Sequence, residues 1–154
     1  MKQIPIDECP AGPELDAAVA KARYSEIELV IDLEHGLIAT SETRLCESLE
    51  SGWIGWESIL KGEAESFCLK LLKYSTDITE AWELMELEKM AIIPLKSDRW
   101  LAIPYSAIPD DYTAYRIDLA DGEIASTAPL AITRAYLKAK GVEFVEVADE
   151  TNTG

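Results

Sequence analysis

The sequence predicts an α+β fold: a layered α/β/α sandwich in which helices cover a mostly antiparallel sheet. Three observations carry this. Segments opening near residues 12, 77 and 127 repeat apolar residues at helical spacing behind a capping or proline signal. Between and after them lie short runs rich in β-branched and aromatic residues, some bounded by turn signals. Finally, 154 residues, 48% of them hydrophobic, suffice for one domain with a real core, whereas two would be cramped. That domain is placed at residues 1–150, with 33–72 as a variable block inside it and 151–154 as a frayed tail.

Taken in order, residues 1–10 read as an extended lead-in carrying Pro5 and Pro10. Gly12-Pro13-Glu14 opens a helix, with proline suited to the first turn and an acid placed against the helix dipole. Leu15, Ala18, Val19 and Ala22 form its apolar stripe, and Tyr24-Ser25 ends it. Residues 26–33 read as a strand and Gly36 as a turn. Residues 41–49 have weak helical spacing, Gly52-Trp53-Ile54-Gly55-Trp56 is a flexible aromatic stretch, and 57–72 suits either helix or strand. The next helix, 77–89, is the most sharply defined. Asp77 caps it, Glu80 three residues on is placed to bond back to the cap, and Ile78, Ala81, Trp82 and Met85 face a core. Glu80, Glu83 and Glu86 then lie on the outer side.

Residues 90–96 form a strand whose Pro94 demands an edge or a bulge. Residues 97–99 turn into a second strand at 100–105, and 112–119 favours a third. Asp121-Gly122 signals a hairpin into a strand at 123–126. Thr127 caps the last helix, with Pro129 in its first turn and Ile132, Ala135, Tyr136 and Ala139 as its stripe. Arg134, Lys138 and Lys140 complement the C-terminal end of its dipole, and Gly141 stops it. Residues 142–147 make a final strand.

Three of these segments resemble a known family. Gly12-Pro13-Glu14-Leu15-Asp16-Ala17-Ala18-Val19-Ala20 is similar to its opening helix. Tyr74-Ser75-Thr76-Asp77-Ile78 followed by Ala81-Trp82-Glu83 resembles its central motif, and Thr127-Ala128-Pro129-Leu130-Ala131-Ile132-Thr133-Arg134-Ala135 its last helix. The order and approximate spacing are those of the phage ABA-sandwich domain, found in tailed-phage and prophage genomes. The resemblance implies a phage or prophage origin and an α/β/α fold. It implies no established activity, so no functional residues follow from it.

Charge is the strongest compositional fact: 29 acids against 14 bases, a net −15. The acidic excess is spread over both ends rather than held in a tail. Such a surface repels phosphate backbones and anionic lipids, so direct nucleic-acid or membrane binding is not expected. A host or phage protein with a basic surface is the expected partner. No run approaches the roughly 18 apolar residues of a membrane span. Residues 1–8 lack the apolar core of a secretory signal, and Cys9, Cys46 and Cys68 are too few and too widely spaced for a disulfide framework. The expected location is the cytoplasm of a host bacterial cell.

No residue pattern announces a reaction. Asp32, Glu34 and His35 sit close in sequence, but zinc normally draws several His or Cys ligands, and a turn explains the histidine more simply. Neither Cys46 nor Cys68 has a motif that would pair it with His35 as nucleophile and base. Residues 118–123 lack the alternating oxygen ligands of a calcium loop. Gly52-x-x-Gly55 lacks the spacing and the lysine of a phosphate loop. No metal and no cofactor is therefore expected, and the balance leans against an enzyme.

The leading expectation is a phage-encoded acidic binding protein, in one form an inhibitor of host defence (anti-CRISPR-like) whose carboxylates imitate a nucleic acid. Its partner-binding candidates are Glu80, Glu83, Glu86, Asp110, Asp111, Asp118 and Asp121, with Trp53 and Trp56 as aromatic contacts. The alternative is a small-molecule or nucleotide-binding sponge with Trp53, Trp56, Trp82 and Trp100 around a pocket.

Overall fold

The structure is a computed structural model and describes residues 2–26, 28–34, 36–40, 67–107 and 122–147. The expectations for residues 41–66 and 108–121, for His35 and for the tail lie outside these residues. They include Trp53, Trp56, Asp110, Asp111, Asp118 and Asp121.

Three helices and eight strands are described, and the fold is α+β as the sequence predicts. Every strand pairs antiparallel, in three small sheets. The first joins β1 (Lys2–Pro5) to β8 (Phe144–Val147), with Ile4 opposite Val145, so the lead-in is a strand paired with the far end of the sequence. The second runs β2 (Val30–Asp32), β3 (Leu37–Thr40), β4 (Phe67–Lys70). The strand expected at 26–33 is thus shortened to its end, and the region left open at 57–72 contains a strand.

The third sheet positions everything that follows. It consists of β5 (Met90–Leu95), β6 (Arg99–Pro104) and β7 (Glu123–Ala125), with β6 in the middle. Pro94 sits on the outer strand β5, where a missing amide donor is tolerated. Register assigns its faces. Met90, Ile92, Pro94, Trp100, Ala102, Pro104, Glu123 and Ala125 share one side. Ala91, Ile93, Leu95, Leu101, Ile103 and Ile124 share the other. That second side is wholly aliphatic apart from Arg99 at the turn, and Leu101 and Ile103 are 1% and 0% exposed. Apolar residues therefore line most of both faces of this sheet.

The helices are α1 (Pro13–Arg23), α2 (Ile78–Leu87) and α3 (Ala128–Ala139). Both expected caps form: Asp77 Oδ1 accepts from the Thr79 amide at 2.8 Å, and Thr127 Oγ1 from the Leu130 amide at 3.3 Å. Gly141 ends α3 at φ +79, a conformation that suits a residue without a Cβ. α3 is the hub, packing against α1, α2 and the β5–β6–β7 sheet. Its buried arc is correspondingly wider than one stripe. It takes in Leu130, Ala131, Thr133 and Leu137 beside Ile132 and Tyr136, while Ala139 is exposed.

Two expectations for helix faces are corrected. In α2 the inward residues are Ala81, Leu84 and Met85, whereas Ile78 and Trp82 are 45% and 48% exposed. Glu80 does not bond back to its cap. Its carboxylate accepts from the Lys73 amide, and the Asp77 amide donates to the Lys73 carbonyl at 2.8 Å. In α1, Ala18 and Ala22 are only half-buried, and Asp16, Ala17 and Ala20 join Leu15 and Val19 inside.

The burial of Asp16 has a definite cause. The Gly12 amide donates to Ser75 Oγ at 2.9 Å, and the Ser75 amide donates to Asp16 Oδ1 at 2.8 Å. The start of α1 and the loop leading into α2 thus satisfy each other's backbone donors, with Ser75 and Asp16 both buried. Arg23 makes a second tie at the other end of α1, donating to Tyr74 Oη at 3.2 Å and to Glu83 Oε1 at 2.5 Å. The first two segments that carry the family resemblance are therefore in direct contact.

Burial pushes the Asp16 carboxyl above its ordinary pKa, partly offset by the two bonds from Ser75 and by Lys73. A raised folded-state value means that the folded protein holds the proton more tightly than the unfolded chain. Stability contributed by this group therefore falls as pH rises from the unfolded to the folded value. Asp16→Asn should abolish that slope while keeping an acceptor for Ser75, and should cost little. Asp16→Ala orphans the buried Ser75 amide and should cost about 1–3 kcal/mol. Urea denaturation of the three proteins across mildly acidic pH distinguishes these outcomes.

Candidate functional site

The register of α2 generates the most conspicuous surface feature. Because Asp77 fixes where the helix begins, Ala81, Leu84 and Met85 turn inward, and Ile78 and Trp82, one turn apart, are carried to the rim. There they meet Ile92 and Trp100 from the helix-facing side of the sheet, and residues Ser126, Thr127, Ala128 and Pro129 at the entry to α3. Together they form an open groove of about 470 Å³. The Trp82 indole donates to Glu86 Oε1 at 2.9 Å, so its polar edge is satisfied within its own helix while much of the side chain remains exposed. Two of the four tryptophans proposed from sequence as pocket walls, Trp82 and Trp100, are thus brought together.

The outer glutamates of α2 each have an internal partner. Glu83 pairs with Arg23, Glu80 accepts from the Lys73 amide, and Glu86 accepts from Trp82. They remain acidic surface, yet each is oriented by its own partner and they do not form a uniform row of uncommitted anions.

A second concavity lies on the same face of the sheet, under the C-terminal half of α3. Met90, Ala102, Pro104, Ala135 and Ala139 give it apolar walls, and Glu88, Glu123 and Lys138 its polar groups, around a space of about 310 Å³. Gly122 also lines it, and no side chain fits there: a Cβ would stand 2.6 Å from the Ala102 carbonyl oxygen. Lys138 Nζ lies 2.8 Å from Asp7 Oδ1 and also pairs with Glu123, while Lys140 Nζ lies 2.7 Å from Glu88. Burial raises the Glu123 pKa, opposed by the bond from Lys138 and supported by Asp7; the bond from Lys138 lowers that of Asp7. This cluster was not legible in the sequence. Lys138 reads there only as a charge suited to a helix end, and nothing local points to Asp7, 131 positions away.

Cys9 is buried with a free thiol, and desolvation raises its pKa, the opposite of an activated nucleophile. Among the described residues, no group of three or more His, Cys, Asp or Glu could hold a metal ion, and no helix is long and apolar enough to cross a membrane. Comparison with protein-family models, curated proteins and solved structures yields no match.

Two outcomes follow from this geometry. Trp82→Ala should lower stability by no more than about 1 kcal/mol, whereas Leu84→Ala, two residues on but fully buried, should cost about 2–5 kcal/mol. Chemical denaturation of both variants checks the helix register. Lys138→Met leaves half-buried Glu123 beside Asp7 without its counter-charge. The Glu123 titration, followed by carboxyl carbon resonance, should move upward, and the variant should become less stable as pH rises through that titration.

Proposed function

We propose that this chain is a non-enzymatic binding protein that engages a basic segment of a protein partner in the Ile78–Trp82–Ile92–Trp100–Pro129 groove. In the form suggested by the resemblance to phage ABA-sandwich domains, the partner is a host protein and the chain a phage-encoded inhibitor of host defence. One observation carries the binding reading: half-exposed Trp82 shares an apolar groove with a second tryptophan on a chain of net charge −15. Aromatic side chains in a concave apolar site are the groups that anchor protein interfaces. The surrounding negative field selects a partner segment that carries lysine or arginine beside its apolar residues, and speeds its approach.

The internal engagement of Glu80, Glu83 and Glu86 favours this mode over strict imitation of a phosphate row. In the groove mode, apolar contact supplies affinity and the carboxylates supply selection.

Tryptophan fluorescence tests the groove. A short synthetic peptide alternating leucine with lysine should bind, and its affinity should fall about tenfold or more as salt rises from low to high ionic strength. The same peptide with glutamate in place of lysine should not bind, and Trp82→Ala should lose the interaction while remaining folded. Equal binding of the two peptides, or full binding by Trp82→Ala, sinks the reading.

A further inference from the structure

The space beneath the second half of α3 is separate from the groove and has a different character. Its walls come from three elements that the core already fixes: Met90 on β5, Ala102 and Pro104 on β6, and Ala135 and Ala139 on α3. Met90 and Ala102 are 2% and 0% exposed, so the floor is part of the packed interior rather than a crease in the surface. Its volume, about 310 Å³, falls within the ordinary range for sites that take a compact organic molecule. The small residues keep it open. Ala102, Ala135 and Ala139 project only methyl groups, and Gly122 is held without a side chain by its approach to the Ala102 carbonyl.

Charge determines what such a molecule must carry. The charged groups on the wall are Glu88, Glu123 and Lys138; behind them lie Asp7 and Lys140, and the Arg134 guanidinium acts on Asp7. Lys138 is shared between Asp7 and Glu123, and Lys140 is held by Glu88, so on the wall itself two carboxylates face one ammonium. An anionic ligand would have to compete with Asp7 and Glu123 for Lys138 while facing Glu88. A cation would instead find carboxylate lone pairs on Glu88 and Glu123 that a single lysine each does not exhaust. It would also neutralise the excess in a partly desolvated place, where that charge costs most.

We propose that this cavity is a binding site for a small organic ammonium: a compact hydrocarbon body seated on Met90, Ala102 and Ala135, with its charged nitrogen donating to Glu123 and Glu88. The site stands independently of the groove, and neither requires the other to be occupied.

Isothermal titration of the intact protein with three compounds of one shape tests it: cyclohexylmethylamine, cyclohexylmethanol and cyclohexanecarboxylate. The amine should bind and raise the melting temperature, and the alcohol and the carboxylate should bind at least about tenfold more weakly, a difference of about 1.4 kcal/mol. Ala139→Leu, a change at an exposed helical position that leaves the core intact, should block the space and weaken the amine by a similar factor. Glu123→Gln should do the same through charge. Trp82→Ala, which disables the groove, should leave amine binding unchanged. No binding of the amine at millimolar concentration, equal binding of the three compounds, or an unaltered affinity in a folded Ala139→Leu protein would overturn the proposal.

Discussion

The bond from the Ser75 amide to the buried Asp16 carboxylate is the constraint on which the rest depends. A carboxylate is costly inside a protein unless its lone pairs are engaged, and here one of them satisfies a backbone donor that would otherwise be stranded. With Gly12 bonding to Ser75 Oγ, the interaction clamps the loop before α2 onto the first turn of α1. That loop ends at Asp77, and Asp77 sets the first turn of α2. The start of the helix sets its rotation, and the rotation decides that Leu84 is buried and Trp82 is not. A surface groove is thus specified by a polar contact in the interior.

The parts of the fold legible in the sequence are those settled within a few residues of themselves. Asp77 and Thr127 cap helices because their side chains reach amides two or three positions on. Pro94 announces an outer strand because it lacks a donor, and Gly141 a helix end because it tolerates a positive φ. The buried face of α2 is not decided by its own sequence, for a physical reason. Ile78, Ala81, Trp82 and Met85 fit helical spacing as well as Ala81, Leu84 and Met85 do, and the choice between them is made by the contact with α3 and by the clasp at Ser75. Glu14 reads as the acid placed for the helix dipole, nothing in the sequence marks Asp16 as buried, and only its distant partner explains why it is inside. Of the candidate site, the sequence points to Trp82 and Trp100 but not to their neighbours Ile78, Ile92 and Pro129, which come from three elements.

The acidity of the chain is also more differentiated than a net charge suggests. Arg23, Lys138 and Lys140 are each held by carboxylates of another element, so part of the basic complement joins helices to strands or to each other. Glu83 and Glu123 are therefore structural counter-ions. The negative field that a partner meets is generated by the remaining acids around a frame whose own charges are already matched.

The pairing of β1 with β8 bears on how the molecule comes into being. Residues 2–5 form their ladder with residues 144–147, and the Ile6 amide donates to the Glu143 carbonyl. During synthesis this strand leaves the ribosome long before its complement is made. Closing so long a loop carries an entropic cost that local contacts do not offset in advance, which slows the final step. This ladder can therefore close only after the chain has emerged through residue 147, and because Ile6 and Val145 are buried members of the core, with Ile4 and Val147 packed against it, its closure completes that core.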